Sequence, residues 1–314
     1  MKKTGICRSI YMTFVLLFAC ILAFSAASCA GKDEGGNAGD QGSGTSQTTD
    51  AAASQKKEKS SKAGSGRQKK LKLKHGKKIR IDKKGFVTRR SVYTLKAGTR
   101  LTHKELKKTG GVKRWFRIYK IKKNDRVYRR INGKSYRKNP VISYKDLRYI
   151  TTLYYDFSGK LRTGEIIVNR SIAKDTEAVF RELFKEEYQI RRMTLIDKYY
   201  PKSGASGNEA GSAADTASMN DDNTAGFNYR MVAGTSTVSM HGYGRAIDVN
   251  PFENPWRPGG RIYPNQSRSA EYANRSVRKP HMIFADSDIT RIFRKHGFRW
   301  LGETGTRDYQ HFEK

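Results

Sequence analysis

Apolar residues in the middle of the chain follow a strand pattern first and a helical one afterwards. Residues 149–157 and 165–168 are rich in aromatic and β-branched side chains, and Ser158 and Gly159 between them favour a turn. This pattern predicts a β-hairpin. Apolar side chains then recur at helical spacing over residues 172–187, which predicts a helix that lies on the sheet.

Three later segments show weaker patterns. Residues 190–196 are predicted as a strand. The small and polar residues of 201–220 predict a surface loop. A last helix is predicted to begin at Asp286 or Asp288 and to end at Gly297.

The strongest element signals lie in the C-terminal two-thirds of the chain. Residues 112–314 are long enough to form one domain with its own core. Upstream, apolar and polar side chains alternate weakly over residues 79–81 and 86–87, which is typical of short strands. The pattern leaves open whether residues 67–111 form a small module or only a basic lead-in.

Residues 1–28 have the composition of a signal peptide. Lys2, Lys3 and Arg8 precede an apolar run over residues 10–24, which is too short to favour a membrane-spanning helix. We therefore expect this segment to direct export and to be removed.

The cysteines support export and suggest a lipid anchor. They are Cys7, Cys20 and Cys29, so cleavage before Cys29 leaves that one alone in the mature chain. Small residues precede it, as in the lipobox of bacterial lipoproteins, although Ala26 stands where leucine is usual. A single cysteine excludes a disulfide framework and favours lipidation of Cys29. The alternative is a plain secretory peptide with a chance cysteine.

Composition changes sharply after Cys29. Residues 29–66 carry hardly an apolar side chain, which predicts a flexible tether behind the lipidated cysteine. The net charge of +34 is concentrated in residues 56–138, where 33 Lys and Arg face four acidic residues and give +29. We expect this basic block to attract anionic envelope polymers or lipid head groups. The alternative is a solvated basic face that keeps the protein soluble, and export argues against a nucleic-acid partner.

Two histidines and two aspartates supply the groups of a hydrolytic metal site. His241 and Asp248 lie in a glycine-rich segment that runs into a predicted strand over residues 246–249, and Asp308 and His311 lie near the C-terminus. Catalytic zinc takes three nitrogen or oxygen ligands from the protein and leaves a fourth position for water. His241, Asp248 and His311 are therefore predicted to bind one Zn²⁺. Asp308 is left over as a general base.

Two residues near the first ligand are candidates for contact with a substrate. Arg230 is predicted to be the cation that stabilises a developing oxyanion, and the alternative is a structural ion pair. Ser239 is predicted either to hydrogen-bond a substrate or to cap the ligand loop.

These residues resemble the motif of a known family. The motif is Ser-x-His-x-x-Gly-x-Ala-x-Asp, followed later by an acidic residue, two others and His. It is similar to that of the zinc D-Ala-D-Ala carboxypeptidases and L-Ala-D-Glu endopeptidases, which include vancomycin-resistance dipeptidases and phage endolysins. The matching residues are Ser239, His241, Gly244, Ala246, Asp248, Asp308 and His311.

The resemblance implies roles for the matching residues. By it, His241, Asp248 and His311 bind zinc. Asp308 is the catalytic base and Arg230 polarises the scissile carbonyl. It also implies an α+β fold of the DD-peptidase and Hedgehog-like type, in which helices pack on a small antiparallel sheet and zinc lies in a surface cleft.

Two departures from the family bear on substrate choice rather than on hydrolysis. Residues 300–304 stand where relatives tend to show Trp-Gly-Gly-x-Trp, and the loop at 202–217 looks expanded. The sequence thus predicts a zinc metallopeptidase acting on peptidoglycan stem peptides in the bacterial cell envelope, as a carboxypeptidase or an endopeptidase. The alternative is a non-catalytic envelope-binding lipoprotein that retains the fold. Asp308 separates the two, because a binding protein has no reason to keep a base beside three ligands.

Overall fold

The computed structural model of the protein describes residues 69–314 apart from Asn265, and these belong to one compact unit, Ala63–Lys314. The predicted signal peptide, Cys29 and the tether lie outside the described residues. The strands are β1 (Lys70–Lys72), β2 (Lys78–Arg80), β3 (Arg117–Lys120), β4 (Leu147–Tyr155), β5 (Leu161–Asn169), β6 (Arg192–Met193), β7 (Asn223–Thr224), β8 (Ala246–Asp248), β9 (Arg299–Trp300) and β10 (His311–Glu313). The helices are α1 (Arg89–Thr94), α2 (His103–Lys108), α3 (Arg126–Ile131), α4 (Ala173–Lys185), α5 (Gly207–Asn220), α6 (Gln266–Ala273) and α7 (Asp288–Lys295).

The strands form small sheets, most of them antiparallel. β1 pairs with β2, the order β3-β4-β5 makes a second sheet, and the order β8-β10-β9 makes a third. β6 and β7 form a short parallel pair. Helices and small antiparallel sheets thus occur together, as the predicted α+β class requires. None of the helices in residues 69–314 combines the length and the apolar surface needed to cross a bilayer.

The central hairpin confirms the strand prediction and extends it. β4 and β5 pair over nine residues each, from Leu147 opposite Asn169 to Tyr155 opposite Leu161. Asp156 closes the turn, since its Oδ1 accepts hydrogen bonds from the backbone N–H groups of Ser158 and Lys160, both at 3.0 Å.

The two predicted amphipathic helices are confirmed, and both pack into the same core. The buried face of α4 includes Val179, Phe180 and Leu183. α7 buries Ile289, Ile292 and Phe293. The ring of Phe293 stacks on that of Phe312 in β10, with the centroids 3.9 Å apart. Phe312 is fully buried, so its replacement by alanine is expected to cost about 3–5 kcal/mol of folding free energy.

The predicted loop at 201–220 is wrong for most of its length, because residues 207–220 form α5. The buried face of this helix consists of small residues, namely Ala210, Gly211, Ala214 and Ser218. Large apolar side chains at helical spacing are therefore missing, and the sequence signal is weak. At Gly211 the fit is close, because a Cβ there would lie 3.1 Å from Cβ of Arg230.

The predicted strand at 190–196 is confirmed only for Arg192 and Met193. The backbone then leaves the sheet because its donors find side chains instead. The N–H of Thr194 donates to Oδ1 of Asn223 at 2.9 Å, and a 3-10 helix follows at Ile196–Tyr199.

Residues 69–111 are folded and share the core of the central sheet. β1 and β2 form a hairpin, and α1 and α2 follow them. The N–H of Leu101 donates to the carbonyl of Leu161 at 3.0 Å, and the N–H of Thr163 donates to that of Thr99 at 3.0 Å. This segment is thereby hydrogen-bonded to the edge of β5.

Candidate metal centre

Three predicted ligands come together at the end of the third sheet. Asp248 ends β8 and His311 begins β10, and the two residues face each other across the antiparallel pair. Directly opposed residues hold their side chains within reach of one another. His241 enters from a series of turns, in which the N–H of Gly244 donates to its carbonyl at 3.0 Å.

Glycines allow the His241 turn to lie against the central hairpin. Gly244 has φ +67°, and a Cβ at this position would lie 2.8 Å from the backbone nitrogen of Asn169. That nitrogen donates to the carbonyl of Gly244 at 2.7 Å. The end of β5 therefore fixes the turn that presents His241.

The distances between the three side chains suit a single ion. Nε2 of His241 lies 3.2 Å from Oδ2 of Asp248, and Nδ1 of His311 lies 3.0 Å from Oδ1 of Asp248. One ligand atom from each residue falls within 4.8 Å of the others, and all three residues are buried. Two imidazole nitrogens and a carboxylate oxygen are a donor set that zinc accepts. The residues present therefore fit a zinc ion.

Outer hydrogen bonds decide which nitrogen of each imidazole faces the centre. Nδ1 of His241 donates to the carbonyl of Gly226 at 2.7 Å, which leaves the Nε2 lone pair toward Asp248. Nε2 of His311 donates to Oε2 of Glu313 at 3.3 Å, which leaves Nδ1 toward Asp248. Such partners orient metal-binding histidines and raise their basicity.

The charges around the centre call for a cation. Burial opposes ionisation of Asp248, but the two neighbouring imidazoles hold its pKa well below the usual range. The hydrogen bond from His311 lowers the pKa of Glu313 to about 2. Burial would lower the pKa of His311, yet Asp248 and Glu313 raise it to about 10. The carboxylates of Asp248 and Glu313 thus stabilise a positive charge between the three candidate ligands.

Asp308 lies beside the three ligands without joining them. Its Oδ2 is 4.0 Å from Nδ1 of His311, and its buried Oδ1 has no hydrogen-bond partner within the described part of the chain. Burial and the charge of Asp248 raise the pKa of Asp308 to about 7, although His311 opposes the shift. A carboxylate with a pKa near neutrality is suited to general-base work.

Arg230 is bound to α5 by an ion pair. Its Nη2 lies 2.6 Å from Oδ2 of Asp215, and both side chains are largely buried. Within residues 69–314, no hydrogen bond or ion pair joins the guanidinium to the three ligands. Its buried Nε also has no partner among the described residues. The ion pair that the sequence left as an alternative is therefore present.

Ser239 contacts the ligand loop. Its Oγ accepts a hydrogen bond from the N–H of His241 at 3.3 Å, and its own N–H donates to the carbonyl of Arg230 at 3.0 Å. Of the two roles expected for Ser239, the capping of the loop is the one with a visible contact.

Sequence reasoning missed the residues that support the ligands. Glu313 stands two positions after His311, so both side chains lie on one face of β10, and this spacing could have identified it. Gly226 acts through its carbonyl, and Asp215 reaches Arg230 from a helix that the sequence did not predict. Neither has a local sequence signal.

A family model described as D-alanyl-D-alanine carboxypeptidase matches residues 233–314. This segment contains Ser239, the three candidate ligands and Asp308, whereas Arg230 precedes it. No curated protein and no solved structure matches the chain. The resemblance seen in the motif is confirmed, because the segment that carries the motif is similar to the D-alanyl-D-alanine carboxypeptidase family.

Proposed function

We propose that the protein is a zinc peptidase that hydrolyses peptide bonds in the stem peptides of peptidoglycan. The observation that carries this proposal is Asp308, a buried carboxylate with a raised pKa and one unpartnered oxygen beside three candidate ligands. A site that only bound metal would have no need of such a group. The family match supports the reaction class.

His241, Asp248 and His311 would hold the ion. When bound, zinc polarises the carbonyl that is attacked and lowers the pKa of water to about 7. Asp308 takes the proton from the attacking water and returns it to the leaving amine, as general acid–base catalysis requires. Gly226 and Glu313 keep the outer nitrogens of the two imidazoles protonated throughout.

Arg230 is assigned to the substrate in this proposal. A guanidinium suits the carbonyl or the carboxylate of a peptide because its planar donors match oxygen acceptors. Asp215 would then hold Arg230 in place through the 2.6 Å ion pair. Carboxypeptidase and endopeptidase cleavage need the same set of groups.

The cell envelope is the proposed site of action. Residues 1–28 and Cys29 would export the chain and attach it to a membrane through lipid, and the basic block at 56–138 would add attraction to anionic polymers or lipid head groups. Peptidoglycan peptides are available in that compartment. The surface cleft implied by the resemblance would admit them.

The test is mass spectrometry of purified muropeptides after incubation with the zinc-loaded full chain, with Asp308→Asn as the matched variant. Loss of one D-alanine identifies a carboxypeptidase, and cleavage after L-alanine identifies an endopeptidase. Asp308→Asn should retain zinc at full stoichiometry and lose activity by about 10²–10⁴-fold. No product from a zinc-loaded protein would reject the proposal in favour of a non-catalytic envelope-binding lipoprotein.

A further inference from the structure

A second concave feature lies apart from the metal centre. It is a cavity of about 1080 Å³ bounded by residues 96–99, α3, the turn between β4 and β5, and residues 191–198. None of its lining residues belongs to the candidate ligand set, and no side-chain hydrogen bond or ion pair joins the two among the described residues. The folded segment after residue 69 supplies one wall of this cavity.

The wall of the cavity is strongly basic. Eight Lys or Arg side chains and three carboxylates line it, a net charge of +5. Low-dielectric walls around charge of one sign concentrate the electrostatic potential. The cavity therefore favours an anion over a neutral ligand.

The three carboxylates are already engaged by cations of the wall. Arg130 donates to Glu165 at 2.8 Å and to Asp197 at 3.1 Å, and Arg162 donates to Asp156 at 2.7 Å. Their charges are balanced inside the wall itself. Of the six other cations, Arg192 and Lys198 pair with Asp221, at 2.9 Å and 3.3 Å.

Four cations of the wall have no carboxylate partner among the described residues, namely Lys77, Lys96, Arg126 and Arg191. Toward the rest of the described chain, Arg126 uses one donor, its Nη1, which donates to the carbonyl of Tyr93 at 2.7 Å. The guanidinium of Arg191 lies over the ring of Phe157 at 5.8 Å. These side chains come from separate segments and keep N–H donors available to a ligand.

We propose that this cavity binds a phosphodiester chain, that is, a soluble anionic polymer that carries one phosphate per repeating unit. Guanidinium groups match phosphate oxygens in two-pronged hydrogen bonds, and ammonium groups add point charge. The volume of about 1080 Å³ lies at the upper end of the range for ligand pockets, which leaves room for more than one phosphate-bearing unit. Anionic polymers would then bind in this cavity instead of being attracted equally to all of the basic block. The proposed binding does not depend on the peptidase activity.

The test measures binding of a short poly(glycerol phosphate) to the full chain in detergent by titration calorimetry at fixed salt. The cavity variant is Lys96→Gln with Arg191→Gln. The matched control is Lys108→Gln with Lys113→Gln, which removes the same charge from exposed positions of the basic block outside the cavity. The cavity variant should weaken binding by about tenfold, and the control by less than about twofold.

Equal losses in the two variants would show a diffuse attraction and overturn the proposal, as would unchanged binding in the cavity variant. Vesicles of phosphatidylglycerol form a second arm. If the full chain binds these vesicles through Lys96 and Arg191 but not the soluble polymer, a lipid surface is the ligand and the proposal is wrong. Muropeptide cleavage should be unchanged in both variants, which separates this test from that of the peptidase.

Discussion

Replacement of Glu313 by glutamine tests how the metal centre is held. The side chain accepts the Nε2 proton of His311 at 3.3 Å and also pairs with Arg299. It does not belong to the three-residue ligand group. Glutamine keeps an oxygen that can accept the proton but removes the negative charge. Its effect therefore reports what the charge contributes to His311 as a ligand.

The expected loss follows from the place of Glu313 behind the ligand. Removal of such outer partners typically lowers metal affinity by about 10–100-fold, which is about 1.4–2.7 kcal/mol. Glu313→Gln should fall near the lower end because the hydrogen bond can persist. Glu313→Ala should fall near the upper end, since it removes the charge and leaves His311 free to turn.

Competition with a chromophoric zinc chelator measures both affinities without reference to activity. Glu303→Gln is the matched control, because it removes one carboxylate charge from an exposed side chain that pairs with Arg294 and not with a candidate ligand. It should leave zinc affinity unchanged. If both Glu313 variants bind zinc within about twofold of the parent protein, Glu313 does not orient the ligand and the reasoning fails.

Three further expectations concern residues around the centre. His241→Ala should lose stoichiometric zinc by elemental analysis, and full occupancy would remove His241 from the ligand set. Asp215→Asn should raise KM or lower kcat by about tenfold while zinc is retained, because Arg230 loses the carboxylate that holds its side chain in position. Unchanged kinetics would show that the ion pair is purely structural. Burial and Asp222 raise the pKa of Glu253 to about 9, so the folded protein binds more protons than the unfolded chain between about pH 4.5 and 9. The free energy of unfolding should therefore fall as pH rises through that window. In Glu253→Gln the unfolding temperature should fall less steeply with pH than in the parent protein. Equal slopes for the two proteins would contradict the raised pKa of Glu253.

The sequence predicted elements whose buried face carries large apolar side chains. The helix at Ala173–Lys185 and the one at Asp288–Lys295 were found for that reason, and so was the central hairpin. The helix at Gly207–Asn220 escaped because its buried face carries only small residues. Contacts that depend on this helix, such as that between Asp215 and Arg230, were therefore beyond reach.

The ligand set was predictable for a different reason. Metal chemistry restricts the residue types and the motif fixes their order, so the three residues that come together, His241, Asp248 and His311, could be chosen as candidates without a structure. The groups that hydrogen-bond to these three side chains could not be predicted in the same way. The acceptor for His241 is a backbone carbonyl at Gly226, and any residue type supplies a carbonyl.

The support of the metal centre extends beyond the segment that matches the family. Residues 233–314 contain the candidate ligands, but the carbonyl of Gly226 accepts the Nδ1 proton of His241, and the N–H of Asn228 donates to the carbonyl of His241 at 3.1 Å. The end of β5 holds the turn at Gly244 through Asn169. The upstream residues are therefore part of the candidate site and not an appendage to it. Because Arg230 and α5 also come from this part, we expect it to govern substrate choice while the matched segment governs the metal chemistry.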